Sequence, residues 1–109
     1  MASTFKNAGG VIVTTDDNTA NIYTVPNGAT AVLHAVFISN KNAADTRGVD
    51  IKVTTDGGST FATVLKSGEI PPYDTLQLDK PINLESGDIL RIVGSGSNME
   101  SFVSILELT

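Results

Sequence analysis

The single histidine of this chain, His34, is the side chain best suited by type to acid–base catalysis. In a nucleophilic triad, a histidine accepts the proton of a Ser hydroxyl or a Cys thiol and is itself oriented by a carboxylate. His34 stands among apolar residues in the stretch 29–40, with no candidate partner nearby in sequence. The chain has no cysteine and no G-x-S-x-G motif, which marks the nucleophile of many hydrolases. We therefore interpret His34 as a residue of a sheet or an interface and predict that the protein is not an enzyme.

The acidic residues are the second group whose chemistry has to be considered. Glycoside hydrolysis needs two carboxylates held across a cleft, and calcium needs closely alternating oxygen ligands, as in D-x-D-x-D. No such calcium spacing occurs in the sequence. Six of the eight aspartates fall instead in predicted turns, where an Asp side chain commonly caps the backbone. These acids are Asp16, Asp17, Asp45, Asp56, Asp74 and Asp88. We predict no metal site and no cofactor.

The elements that must position these side chains are β-strands. Residues 48–55 alternate, with Val49, Ile51 and Val53 on one face and polar residues on the other, and this period of two is typical of a half-buried strand. Similar runs recur at intervals of roughly 8–14 residues and end in turn residues. They span 10–15, 21–25, 29–40, 48–55, 60–66, 75–78, 88–94 and 101–108, with a further short stretch at 69–70. The sequence therefore predicts an all-β fold, an about eight-stranded two-sheet β-sandwich or jelly roll.

Glycine and proline mark two of the connections between these strands. Asp56-Gly57-Gly58-Ser59 predicts a hairpin turn, because glycine reaches the positive φ values that tight turns need. Pro71-Pro72 cannot donate hydrogen bonds to a sheet. That pair therefore indicates a sheet edge, a bulge or a crossing from one sheet to the other.

Two of the predicted strands, 29–40 and 101–108, are apolar on both faces, although a strand of a sandwich needs only one apolar face. Strict alternation places Leu33 and Phe37 on one face of the first strand. The other face of that strand then carries Val32, His34, Val36 and Ile38. In the second strand Phe102, Leu106 and Leu108 oppose Val103 and Ile105. Either a bend or bulge rotates each strand so that all these side chains join one core, or a neighbouring subunit covers the second face.

Candidate assembly contacts follow from the second interpretation, together with two residues near the N-terminus. They are Phe5, Lys6, Val32, His34, Val36, Ile38, Val103 and Ile105. Residues 1–10 are small, polar and Gly-terminated, as expected of an arm that is loose alone and ordered against a partner. Residues 11–109 would then form a single β-sandwich domain. The alternative for the first ten residues is an ordinary frayed terminus.

Composition and charge restrict the class of partner. The 109 residues are about the length of one domain, and the net charge is −5. The seven basic residues stand singly along the chain, so no positive stripe is available for nucleic acid. No stretch approaches the roughly 20 apolar residues of a membrane span, and the start lacks the pattern of a signal peptide. We expect folding in a cytoplasm, with neither nucleic acid nor membrane as a partner.

Three stretches of the sequence form recognisable motifs. Residues 21–31, NIYTVPNGATA, contain the pattern Y-T-V-P-x-G-x-T-A. Residues 78–92, LDKPINLESGDILRI, resemble a turn and strand of the form L-x-x-G-D-x-L-R/K-V, with Ile92 at the position of the final Val. Together with the final strand at 101–108, they resemble small β-sandwich proteins from the virions of tailed bacteriophages. The resemblance spans about residues 20–109. Each motif also has a structural cause, since Pro-Gly and Gly-Asp favour turns and hairpins.

The resemblance implies a non-enzymatic virion structural protein that decorates or stabilises the head, neck or tail of a phage. It carries no catalytic residues. We expect the partners to be other copies of the chain, with a trimer suggested by analogy of fold, and other virion proteins. The location would be the virion, after synthesis in the cytoplasm of the bacterial host. The alternative is a carbohydrate- or host-surface-binding module of a phage tail, which would use an exposed Tyr23, Phe61 or Tyr73.

Overall fold

The computed structural model describes residues 3–11, 21–78, 80–96 and 98–109. Within these ranges the chain forms nine β-strands and no helix, and consequently no helix that could cross a membrane. The strands are β1 (Ser3–Val11), β2 (Asn21–Thr24), β3 (Thr30–Asn40), β4 (Arg47–Thr54), β5 (Ala62–Ile70), β6 (Thr75–Leu78), β7 (Ile82–Leu84), β8 (Ile89–Gly94) and β9 (Met99–Leu108).

The strands form two antiparallel sheets packed face to face. The five-stranded sheet has the order β1-β9-β3-β6, with β7 pairing with another part of β3. The four-stranded sheet has the order β2-β8-β4-β5. The predicted all-β, two-sheet sandwich is therefore confirmed.

The core lies between the two sheets and is built from alternate residues of the long strands. Val49, Ile51 and Val53 of β4 point inward, as their alternation predicts. Across from them lie buried residues of β3 and β9, among them Leu33 and Ile105. Full burial of a large aliphatic side chain contributes about 1.5–3 kcal/mol, so these layers supply the main stabilisation of the fold.

A β-bulge in β3 corrects the face assignment that strict alternation gives for this strand. The register of β3 against β9 shifts between Leu33 and Ala35, which inserts one extra residue into β3. Beyond the bulge the alternation changes phase, so Val36 and Ile38 point into the core on the same side as Leu33. The side chains of β3 that point away from the core include Val32, His34 and Phe37.

Four of the eight candidate assembly contacts are therefore core residues. Val36 and Ile38 enter the core because of the bulge, and Val103 and Ile105 because they pair with inward-facing positions of β3. All four side chains are buried within the single chain. The side chains of β9 that remain for a neighbour are those on its opposite face, including Phe102 and Leu106.

The N-terminal segment that the sequence predicts as an arm forms an edge strand. Residues 3–11 pair antiparallel with β9 of the same chain over their whole length, from Ser3 opposite Leu108 to Val11 opposite Glu100. The predicted strand at 10–15 and the turn at 16–18 fall mostly on residues 12–20, which lie outside the described residues.

The connections predicted from glycine and proline occur where the sequence places them. Gly57 and Gly58 have φ values of 78° and 104° in the turn from β4 to β5. Pro71-Pro72 lies where the chain crosses from β5 in the four-stranded sheet to β6 in the five-stranded sheet. The buried Asn40 side chain fixes this crossing, because its amide nitrogen donates to the carbonyl oxygen of Ile70 at 2.9 Å.

A charge at Leu33 is expected to unfold the domain, whereas a charge at the neighbouring Val32 is not. Leu33 is 1% exposed in the core, and an aspartate there would be buried without a partner. We expect Leu33→Asp to cost more than about 4 kcal/mol of unfolding free energy and to abolish the β-sheet circular dichroism signal. Val32→Asp, on the outer face, should retain it. Equal loss of signal in both variants would contradict the inward and outward assignment of β3.

Candidate assembly surface

The outer face of the five-stranded sheet can be derived from the strand register. Residues opposite one another on neighbouring strands form cross-strand rows, and alternate rows share a face. One outward row contains Phe5, Leu106 and Val32, and another contains Gly9, Phe102 and Phe37. Rows between them, such as Lys6, Ile105 and Leu33, face inward.

Two outward rows near the centre of this face carry large apolar side chains, and the row between them carries Asn7, Ser104 and Ala35. Phe5 is 76% exposed and Phe102 is 50% exposed, while Val32, Phe37 and Leu106 are half-buried. Soluble monomeric proteins rarely expose large contiguous apolar patches, and patches of that kind commonly mark interaction sites. We call the surface formed by these five side chains the apolar face.

Polar residues border the apolar face at both ends of the strands. Ser3 and Thr30 lie opposite Leu108 in the row at one end. At the other end, Glu100 and Ser39 share a row with Thr75. Large apolar side chains bordered by a polar rim are common in protein–protein interfaces.

A groove of ≈ 420 Å³ opens on the apolar face beside Phe102. Its lining consists of Asn7, Gly9, Gly10, Phe37, Ser39, Glu100, Ser101 and Phe102. Gly9 forms part of the floor, and the close approach of β9 requires glycine there. A Cβ at this position would lie 2.9 Å from the Ser101 carbonyl oxygen and 3.3 Å from the Phe102 ring.

Phe5 and His34 lie together on the other part of the same face. Their ring centroids are 5.9 Å apart, with an angle of 33° between the ring planes. The structure thus places three candidate contacts, Phe5, Val32 and His34, on the outer face. Within the described part of the chain, no group of three His, Cys, Asp or Glu side chains is arranged to hold a metal ion.

Lys6, the remaining candidate contact, points toward the other sheet instead of outward. Its ammonium lies 3.0 Å from the carboxylate of Glu107, which is 5% exposed. The same carboxylate accepts a hydrogen bond from the hydroxyl of Tyr23, on β2 of the four-stranded sheet. We call these three residues the edge clasp, because they join β1 and β9 of one sheet to β2 of the other.

The edge clasp shifts the protonation of its members. The hydrogen bond from Tyr23, with the Lys6 ammonium, holds the pKa of Glu107 below its usual range despite the desolvation of the carboxylate. Burial, and then the hydrogen bond and charge of Glu107, raise the pKa of Tyr23 above its usual range. At neutral pH the clasp therefore holds a carboxylate, a protonated phenol and an ammonium.

The outer face of the four-stranded sheet is polar by contrast. Asp50 accepts hydrogen bonds from Lys66 at 3.2 Å and from the backbone of Ser67 at 2.8 Å. Arg91 donates to Asn21 at 2.8 Å and covers the ring of Phe61, with 4.0 Å from the guanidinium carbon to the ring centroid. The molecule therefore has one polar and one apolar outer face.

The three aromatic residues considered for a carbohydrate site lie in separate places. Tyr23 is part of the edge clasp, and Phe61 lies under Arg91. Tyr73 is 75% exposed on the turn that follows Pro71-Pro72, with a φ of 60°. The sequence did not assign Phe37 and Phe102 to a site, although the alternation of residues 101–108 separates Phe102 from Val103.

The two motifs that carry the resemblance to phage proteins meet at one corner of the sandwich. The turn after Val25 and the turn before Asp88 are joined by backbone hydrogen bonds, from Val25 to the Asp88 carbonyl at 2.9 Å and from Gly87 to the Val25 carbonyl at 3.1 Å. Gly28 also donates its backbone N–H to the hydroxyl of Ser86 at 3.1 Å. The motifs therefore encode a structural corner.

No protein-family model and no curated protein matches the sequence. Among solved structures, the fold is similar to that of Eiger TNF from S. frugiperda, with a TM-score of 0.47 and 13% sequence identity. The match covers 96% of this chain and 93% of that chain. At this TM-score the likeness carries no argument about function.

Removal of the Glu107 charge is expected to reduce the acid sensitivity of the fold. Because the pKa of Glu107 is lowered on folding, this group stabilises the protein above the unfolded-state pKa of about 4.3. That contribution is lost as the pH falls through the lowered folded-state pKa. Glu107→Gln should therefore flatten the decline in unfolding free energy below about pH 5, measured by urea denaturation.

Glu69→Gln is the matched control for this experiment, because Glu69 is exposed on β5. The pKa of Asp50 is also lowered, and that of Asp56 is lowered to about 2. Both groups contribute acid sensitivity to both variants. If the unfolding free energy of the two variants declines equally below about pH 5, the edge clasp does not stabilise the fold through the Glu107 charge.

Proposed function

We propose that this chain is a non-enzymatic structural protein of a bacteriophage virion, which decorates or stabilises the particle by binding other copies of itself and neighbouring virion proteins. The observation that carries the assembly role is the apolar face, on which Phe5 and Phe102 are exposed and bordered by polar residues. The virion role is supported by the resemblance of residues 21–31 and 78–92 to phage proteins.

The size of the apolar side of the sheet fits a protein–protein contact. Outward rows on a strand lie about 6.7 Å apart and neighbouring strands about 4.8 Å apart. With each row and each strand counted at its full spacing, five rows on four strands project to roughly 34 by 19 Å. A rough surface of that extent approaches the about 800 Å² per partner that a standard interface buries. A second copy that covers it would also shield the aromatic rings from water.

Repetition makes such a contact effective in a virion. Many copies on a symmetric particle act together, so a modest contact per copy yields stable attachment through avidity. The role needs a rigid domain and an exposed contact surface, and it needs no chemistry. The two sheets joined through the core and the edge clasp supply the rigid domain, and the apolar face supplies the contact surface.

A charge on the apolar face is expected to separate the copies. We expect the wild-type protein to be a homo-oligomer at micromolar concentration by light scattering, and Phe102→Glu to be a folded monomer, because assembly would bury the new carboxylate without a partner. Val64→Glu is the matched control, since Val64 is 43% exposed on β5 of the other sheet. A wild-type monomer at every concentration, or equal behaviour of both variants, would contradict self-assembly through this face.

The virion role has its own test. In phage particles produced from the genome that encodes this chain, mass spectrometry of purified virions should detect the protein in multiple copies. Antibody labelling should locate it at repeated positions on the head, neck or tail. Its absence from purified virions, with normal expression in the infected cell, would refute the virion role and leave the assembly role standing.

The groove supports a second candidate, a carbohydrate-binding module of a phage tail. The rings of Phe37 and Phe102 offer stacking surfaces, and Asn7, Ser39 and Glu100 offer hydrogen-bonding groups beside them. Under this alternative the wild-type protein would bind oligosaccharides as a monomer, and Phe102→Ala would abolish binding whereas Tyr73→Ala would not.

A further inference from the structure

We propose that Phe5 of one copy inserts into the groove that Gly9, Phe37 and Phe102 line in a second copy. This inference rests on the proposed self-assembly and names the contact that makes it specific. It follows from two features on the same side of the sheet. One is the protruding aromatic ring of Phe5 on β1, and the other is a groove that residues of β1, β3 and β9 line, two of them aromatic.

Phe5 protrudes because its own chain covers little of it. It lies on β1, an edge strand that pairs with β9 and with no other of the nine described strands. The ring rests against His34 on one side, and the side chain remains 76% exposed. Burying an exposed phenyl ring in an apolar site is favourable, because apolar surface is removed from water. A binding site on another copy would provide that burial.

The groove has the size and lining that a phenyl ring requires. A closed cavity of about 150 Å³ lined by apolar side chains holds benzene, and this groove measures ≈ 420 Å³ and is open to the surface. Gly9 and Gly10 leave the floor free of side chains, while Phe37 and Phe102 provide rings. Aromatic pairs in offset or edge-to-face geometry stabilise a contact beyond the area that they bury.

The spacing of ring and groove allows two identical faces to fit together. Phe5 and Gly9 are four residues apart on β1, so the ring and the groove floor are separated by about 13 Å along the strand. Two copies that meet through their apolar faces can each place Phe5 in the groove of the other.

Complementation between two variants tests the contact. Phe5→Ala removes the ring but keeps the groove, and Ser39→Trp fills the groove but keeps the ring. Each variant alone should associate at least about tenfold more weakly than the wild type in sedimentation velocity, as expected for an aromatic residue at the centre of an interface. An equimolar mixture should regain part of the association, because Phe5 of the Ser39→Trp variant can enter the groove of the Phe5→Ala variant and restore one of the two insertions.

Tyr73→Ala is the control, because Tyr73 is as exposed as Phe5 and lies on a turn outside the apolar face. It should associate like the wild type. If the wild type is an oligomer and the Phe5→Ala variant assembles equally well, the inference is overturned and the proposed self-assembly is left intact. Two folded, monomeric variants whose mixture stays monomeric would also overturn it. A wild-type protein that never assembles would overturn both proposals.

Discussion

The central strand β3 pairs with β9 on one side and with β6 and β7 on the other, so its side-chain phase sets the phase of the whole five-stranded sheet. The bulge between Leu33 and Ala35 changes that phase once. Because of it, Leu33 and Ile38 both reach the core although they are an odd number of positions apart. Without the extra residue, the second half of β3 would direct Phe37 inward and Ile38 to the surface.

The bulge also decides which residues are left on the outer face. With the aliphatic side chains of β3 and β9 committed to the core, the phenyl rings of Phe37 and Phe102 remain outside in one row with Gly9. The edge strand β1 then adds Phe5 to the same face and is held in place by the edge clasp. The apolar face is thus a direct consequence of which side chains fill the core. The strand register determines that the large side chains left outside are mainly aromatic.

Local patterns in the sequence predict those parts of the fold that depend on neighbouring residues alone. The alternation of residues 48–55, the glycine turn at Gly57 and the crossing at Pro71-Pro72 are of this kind. The side of residues 101–108 that faces the core is different, because either Phe102 or Val103 can face inward until the strand is paired. The bulge in β3 likewise depends on the partner strand, which lies about 70 residues away along the chain.

For the same reason, only part of the candidate assembly surface could be predicted from the sequence. Phe5, Val32 and His34 are placed on the outer face, whereas the groove exists only because β1 pairs with β9 and brings Gly9 beside Phe102. The segment 3–11 is too polar for its composition to predict a strand. Its pairing is stabilised by tertiary contacts, namely Ala8 against the core and Lys6 in the edge clasp.

The central claim is that another copy covers the outer face of the five-stranded sheet. The chain has no tryptophan, so a single tryptophan introduced at one position reports on that position alone. The most direct measurement is acrylamide quenching of Phe102→Trp and Val64→Trp over a range of protein concentrations. Self-assembly through the apolar face predicts that quenching at position 102 falls as concentration rises while quenching at position 64 stays constant. Quenching at position 102 that stays high at every concentration would contradict the claim.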